Sequence, residues 1–169
     1  MRSYRRYVHK AINLGLIVTS ALMMWKGLMV LSGCESPVVV VLSGSMEPAF
    51  WRGDILLIWL GSAPFRVGEI VLFQNEGHKV PIIHRIIKVH EKHDGSTEVL
   101  TKGDNNVDDD RGISPPGQRW LNKKLIVGRC IGYLPYVGYV TLVMNDYPPV
   151  KYALIGMLAL FSMTSQGNS

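Results

Sequence analysis

Apolar and polar positions divide the chain into three regimes. From about Ile12 to Leu31 nearly every residue is Ile, Leu, Val, Ala, Met, Gly or Trp, with Asn13, Thr19, Ser20 and Lys26 as exceptions. About 20 such residues suffice for a helix to cross a bilayer, so 12–32 is expected to be a transmembrane anchor. Lys26 can snorkel to the interface beside Trp25. Between Pro37 and Tyr133 the apolar runs are short and cut by turn residues, and no helical period of useful length appears. Val38–Leu42, Ile55–Leu60, Val67–Phe73, Val80–His90, Glu98–Lys102 and Leu125–Tyr133 read as strands. Strands and turns at this spacing predict an antiparallel β domain, with 102–117 as a polar loop. Beyond Tyr136 the chain is apolar again. Tyr136–Met144 suits a short helix, Asp146-Tyr147-Pro148-Pro149 is expected to break it, and Val150–Met163 follows. At about 14 residues that last run is short for a span and fits an interfacial or partner-facing helix better, with a second crossing left open.

The expected organisation is therefore a cytosolic N-terminus (1–11), an anchor (12–32), a β-rich domain (33–135) and an apolar tail (136–169). The orientation comes from charge: Arg2, Arg5, Arg6 and Lys10 precede the apolar segment, and basic flanks stay cytosolic. Two processed forms compete with an intact anchor. A cleavable signal peptide would carry a shorter apolar region without a lysine. Leu31-Ser32-Gly33-Cys34 resembles a bacterial lipoprotein box, which would leave an acylated cysteine directly before a strand.

Composition changes the picture little. The net charge is +5, from 18 Lys+Arg against 13 Asp+Glu, but the cations neither stripe a helix nor interleave with aromatics, so nucleic acid is not expected as a partner. The two cysteines, Cys34 and Cys130, form no metal-ligand cluster; one disulfide or two free thiols are both compatible with their placement.

Three features of the β region carry candidate chemistry. Ser45 lies in Ser43-Gly44-Ser45-Met46-Glu47-Pro48, where an apolar strand ends in a turn. His84 sits among branched apolar residues in Ile82-Ile83-His84-Arg85-Ile86-Ile87. Asp104, Asp108, Asp109 and Asp110 lie in one loop. Taken singly, these read as a polar turn, a core histidine and a solvated loop. Together they meet the needs of acyl transfer by serine: a base near neutral pKa, and a carboxylate to orient it. Ser45, His84 and one of the four aspartates form a candidate triad in the order Ser, His, Asp. Calcium is not expected, because Asp109 stands where a calcium loop needs glycine and the closing glutamate is absent. His78, His90 and His93 are expected at exposed turns or strand ends.

Ser43-Gly44-Ser45-Met46-Glu47-Pro48, His84-Arg85, Lys102-Gly103-Asp104-Asn105-Asn106 and Asp109-Asp110-Arg111-Gly112 resemble type I signal peptidases, specifically the catalytic subunit of the endoplasmic reticulum complex. The resemblance covers nearly the whole chain. It implies a mainly β fold: a small antiparallel β domain of signal-peptidase/LexA-like type, with an N-terminal transmembrane helix and a short apolar C-terminal helix. It implies Ser45 as nucleophile and His84 as base, where bacterial relatives have lysine. Asp110 would be the catalytic acidic residue, Asp104 a supporting aspartate, and Ser43 would join the Ser45 amide in the oxyanion hole. One departure is a third aspartate, Asp108, ahead of the usual pair, so a slip to Asp109 stays open. The implied substrate is a preprotein signal peptide with small residues before the cleavage site, and no metal or organic cofactor is expected. The implied setting is the endoplasmic reticulum membrane, single-pass, with the domain lumenal, beside other complex subunits. An archaeal or Gram-positive enzyme acting alone and a non-catalytic anchored subunit or lipoprotein are the alternatives.

Overall fold

The computed structural model describes residues 2–75, 80–92, 95–113 and 119–165. Helix α1 runs Arg2–Ser32, ten residues further toward the N-terminus than the apolar run alone. Its Tyr7–Ser32 portion, 26 residues, is the one helix among the described residues long and apolar enough to cross a membrane. At 1.5 Å per residue that is about 39 Å, more than a typical hydrocarbon core. Leu14, Met23, Met24 and Val30 all stand exposed on it, so the domain does not cover this helix.

Seven strands follow: β1 (Val38–Val40), β2 (Ile55–Trp59), β3 (Ile70–Phe73), β4 (Ile82–Glu91), β5 (Thr97–Lys102), β6 (Leu121–Asn122) and β7 (Ile126–Leu134). They form one antiparallel sheet in the order β1-β2-β7-β3-β4-β5-β6. Register shifts at Leu57/Ile58, Leu72/Phe73 and Ile86/Lys88 let it curl.

Both faces of the sheet's centre are covered. Leu72 packs with Met46, Phe50, Leu56 and Ile58, while its neighbours Val71 and Phe73 pack with Ile86, Val99, Leu121 and Ile126. A strand buried on both faces reads as a continuous apolar run, which is why β3 shows no alternation. Cys34 lies in the first of these clusters with Cys130 packed against it, and both thiols are free.

The structure shortens two expected strands by two or three residues. Val67–Glu69 belong to a turn, with Gly68 at φ 94° and the Glu69 amide bonded to the Arg66 carbonyl. Val41 and Leu42 leave β1 and lead into the serine turn, the Val41 amide and carbonyl bonding to Asp54 and Gly53. The expected loop at 102–117 holds a 3₁₀ turn at Asp110–Gly112, and beyond it lie β6 and a second 3₁₀ turn at Lys123–Leu125. His78, His93 and Pro115-Pro116-Gly117 lie outside the described residues; His90 stacks on Trp120.

The tail makes two helices, α2 (Tyr139–Asp146) and α3 (Pro148–Ser165), parted only by Tyr147. Pro148 and Pro149 start α3 instead of lying between helices, since the first turn needs no amide partner. α2 is tied back to the β domain. The Gly138 amide donates to the Gly53 carbonyl at 2.8 Å, and Arg52 pairs with Asp146 at 2.7 Å. The buried Asp54 carboxylate accepts from the amides of Trp51 (2.9 Å) and Tyr136 (3.0 Å).

Candidate active site

The serine turn is held from beneath. Met46 is 1% exposed and plugs the core, so the backbone at Gly44 and Ser45 must turn outward above it. The Glu47 amide closes on the Gly44 carbonyl at 3.2 Å and the Phe50 amide on the Met46 carbonyl at 3.0 Å. Ser43 Oγ and Ser45 Oγ lie 3.2 Å apart.

A second segment braces this turn. The Asn105 amide donates to the Ser45 carbonyl at 2.9 Å, and Asn105 Nδ2 to the Gly44 carbonyl at 3.1 Å. Gly103 makes room for the contact: a Cβ there would fall 2.7 Å from the Ser45 carbonyl oxygen. Asp104 does not reach into the cleft. It takes two hydrogen bonds from Arg85, 2.8 Å from Nε and 2.6 Å from the second terminal nitrogen, while Arg85 also donates to the Gly68 carbonyl at 2.9 Å. These Asp104 bonds push the Arg85 guanidinium further above its already high pKa, against the opposing effect of burial.

His84 sits mid-sheet on β4, opposite Val71 of β3, and is 5% exposed. Its Nδ1 is 2.6 Å from Asp110 Oδ2, and Asp110 is itself 6% exposed. Phe73 meets the imidazole edge-on at 6.2 Å. With Nδ1 committed to the carboxylate, Nε2 is the nitrogen left for the cleft. Thr101 Oγ1 also donates to Asp110 Oδ2 at 2.6 Å. Asp109 points elsewhere: it caps the 3₁₀ turn by accepting from the Arg111 amide at 3.1 Å and lies 3.5 Å from Arg111 Nε.

Ser43, Ser45 and His84 all line one cleft of about 640 Å³, whose walls are Val39–Leu42, Met46, Leu72, Val80–Ile83, Asn106 and Ile113. Of the residues singled out in the sequence, the structure thus brings Ser43, Ser45, His84 and Asp110 together and sets Asp104 behind them as a brace. It adds Thr101, and it gives contacts to Arg85 and Asn105, which the sequence motifs contain without a role. Among the described residues no group of three His, Cys, Asp or Glu side chains is placed to hold a metal ion.

A serine turn opening on an apolar cleft, a buried imidazole–carboxylate pair whose imidazole lines the same cleft and an antiparallel β body are the parts a serine hydrolase needs, preceded here by a long apolar helix. Comparison with known proteins narrows the class. Residues 139–164 match the family described as signal peptidase C-terminal short helix. The chain is 57% identical over 155 residues to the signal peptidase complex catalytic subunit sec11 of Dictyostelium discoideum, covering 92% of this chain and 87% of that protein. It is 58% identical over 158 residues to the signal peptidase complex catalytic subunit SEC11C of Homo sapiens (93% and 82% covered). It is 53% identical over 162 residues to the human putative signal peptidase complex catalytic subunit SEC11B (95% and 96% covered). The chain belongs to the family of signal peptidase complex catalytic subunits.

Proposed function

We propose that this chain removes N-terminal signal peptides from secretory and membrane preproteins by a serine mechanism, with Ser45 as nucleophile, His84 as general base and Asp110 as its orienting carboxylate. The observation that carries the reading is the buried 2.6 Å contact between His84 and Asp110 behind a cleft that His84 shares with Ser45. His84 Nε2 takes the Ser45 proton as Oγ attacks the scissile carbonyl, and the carboxylate stabilises the imidazolium that forms. The Ser45 amide and the Ser43 hydroxyl hold the oxyanion. The imidazolium then protonates the leaving amine, and water, activated by the same imidazole, hydrolyses the acyl-enzyme. Asp104 supports the site through Arg85 and the loop that braces Ser45.

The substrate reading rests on the sheet's edge. Among the described residues β1 pairs only with β2, and its residues wall the cleft, so an extended peptide can add as a further strand. The apolar walls suit the small uncharged residues that end a signal peptide.

The setting follows the same logic. Residues 12–32 serve as the anchor with a cytosolic N-terminus, 33–135 form the lumenal catalytic domain, and 136–169 stay interfacial or partner-facing. Other complex subunits as partners are supported by the relatives, which are named as subunits of a complex, and the endoplasmic reticulum membrane is the setting that the family resemblance implies. The test is cleavage of a reporter preprotein by the membrane-embedded enzyme. Ser45→Ala should abolish it while thermal unfolding stays unchanged, and normal processing by that variant would sink the assignment.

A further inference from the structure

The carboxylate that orients His84 has itself to be oriented. The terminal torsion of an aspartate is soft, with broad and roughly two-fold preferences. Asp110 opens a 3₁₀ turn of only three residues, and the capping interaction of that turn belongs to Asp109, not to Asp110. The backbone therefore sets where Asp110 stands, and the side-chain donors that meet its carboxylate, Thr101 among them, set how it is rotated.

Thr101 supplies that restraint. It lies on β5 opposite Ile86, two residues along β4 from His84, so all three side chains share one face of the sheet. It is 1% exposed, and a buried hydroxyl must have a partner. Its hydroxyl donates to Oδ2 of Asp110 at 2.6 Å, the same oxygen that lies 2.6 Å from His84 Nδ1. Two donors held by adjacent strands converge on one oxygen, so rotating the carboxylate breaks both bonds together. As a β-branched residue Thr101 is also stiff at χ1, which suits a fixed donor. The charged groups near Asp110 include the His84 imidazole, Arg119, which lines the small cavity behind the carboxylate, and its chain neighbours Asp109 and Arg111, which bond to each other.

We propose that Thr101 is a positioning residue for the hydrolytic reaction: its hydroxyl locks the Asp110 carboxylate so that the His84 tautomer with a free Nε2 is maintained toward Ser45. The proposal rests on the triad reading above. It predicts a defect in the chemical step and none in substrate binding, because Thr101 does not line the cleft.

The experiment uses the full-length, membrane-embedded enzyme and a reporter preprotein, with kcat expressed per folded molecule. Thr101→Val keeps the shape and removes the donor. It should lower kcat about 10- to 100-fold, the equivalent of one charge-assisted hydrogen bond, at unchanged KM. Thr101→Ser restores the donor and should recover at least about tenfold of kcat over the valine variant by the same reckoning. If valine prevents folding, Thr101→Ala is compared with Thr101→Ser in the same way. In an Asp110→Asn background the valine change should have no further effect on kcat, since both act on one unit. Wild-type kcat in Thr101→Val, a rise in KM alone, or no rescue by serine overturns the role of Thr101 while leaving the triad standing. Full activity in Ser45→Ala or Asp110→Asn overturns the triad reading itself.

Discussion

The backbone amide of Asn105 donates to the carbonyl of Ser45 at 2.9 Å. With the bond from Asn105 Nδ2 to the Gly44 carbonyl, it joins the serine turn to the aspartate loop, two segments far apart in sequence, and makes the Ser45 backbone part of the same unit as the Arg85–Asp104 pair.

The closeness of this contact can be tested at Gly103. Its missing Cβ would lie 2.7 Å from the Ser45 carbonyl oxygen, a backbone atom that cannot swing aside. Gly103→Ala should therefore push the loop away, costing about 1–3 kcal/mol of stability as other overpacking changes do. Cleavage should fall with it. Thermal unfolding and cleavage rates at wild-type values would mean that the loop is not braced as described.

Asp110 and Asp109 separate by what they touch. Asp110→Asn keeps the shape but presents a donor where His84 needs an acceptor, so kcat should fall by roughly 10⁴, as when the wrong imidazole tautomer is imposed. Asp109→Asn should leave kcat near wild type, because Asp109 caps the short 3₁₀ turn and pairs with Arg111 instead of meeting His84. Loss of activity in the Asp109 variant alone, measured on the same preprotein, reverses the assignment.

Replacing the imidazole by the lysine of bacterial relatives should not restore activity. A lysine works as a base only when a dry, apolar pocket lowers its pKa. At position 84 its ammonium would meet the Asp110 carboxylate, now 2.6 Å from the imidazole, and stay charged. His84→Lys should remain essentially inactive across pH 6–9; a basic limb of activity rising toward pH 9 would contradict this.

Arg85 is held at three points and lysine can satisfy only part of that geometry. Its side chain is one-third exposed, so after allowing for solvent screening Arg85→Lys should cost only about 1 kcal/mol in stability. The larger effect should be on kcat, through the loop that carries Asn105. A chemical denaturation curve read alongside cleavage kinetics separates the two, and equal loss in both would make the pair a purely structural one.

Burial pushes the Cys130 thiol up, opposed only in part by hydrogen bonding with the Gly132 backbone. A raised pKa leaves less thiolate, the reactive form, at any pH below it. Iodoacetamide at pH 8 should modify Cys130 in the native protein more slowly than in the denatured chain, as read by peptide mass spectrometry. Faster labelling in the native state would show the shift to have the opposite sign.

Much of the fold was legible because burial is written into runs. β2, β4, β5 and β7 announce themselves as apolar, β-branched segments between turns, and their ends shift by only a residue or two. β3 was overextended because Val67 is apolar yet lies in a turn that Gly68 permits through its positive φ. β6 is two residues long and carries no period to detect. The prolines at 148 and 149 have opposite meanings inside a helix and at its first turn, and only the backbone tells which applies. At the site, Ser45 and His84 are commonplace singly, as a polar turn and a core histidine, and stand out only because the aspartate loop follows them in an order that resembles one family. Thr101 does not stand out at all: threonine is an ordinary strand residue, and its partner is made by pairing β5 with β4 and by the loop beyond.

The anchor and the tail meet the β domain at opposite ends of β2. Before the strand, Gly53 receives the Gly138 amide that leads into α2; after it, the Leu60 amide donates to Ser32 at the close of α1. β2 thus acts as a ruler between the two apolar helices, and from Gly53 to Leu60 an extended chain measures about 23 Å. Two residues added to it would keep every side chain on its present face yet move the helices about 7 Å further apart, whereas one added residue would turn Leu56 and Ile58 out of the core. The length of a five-residue strand is therefore a dimension of the enzyme as a whole.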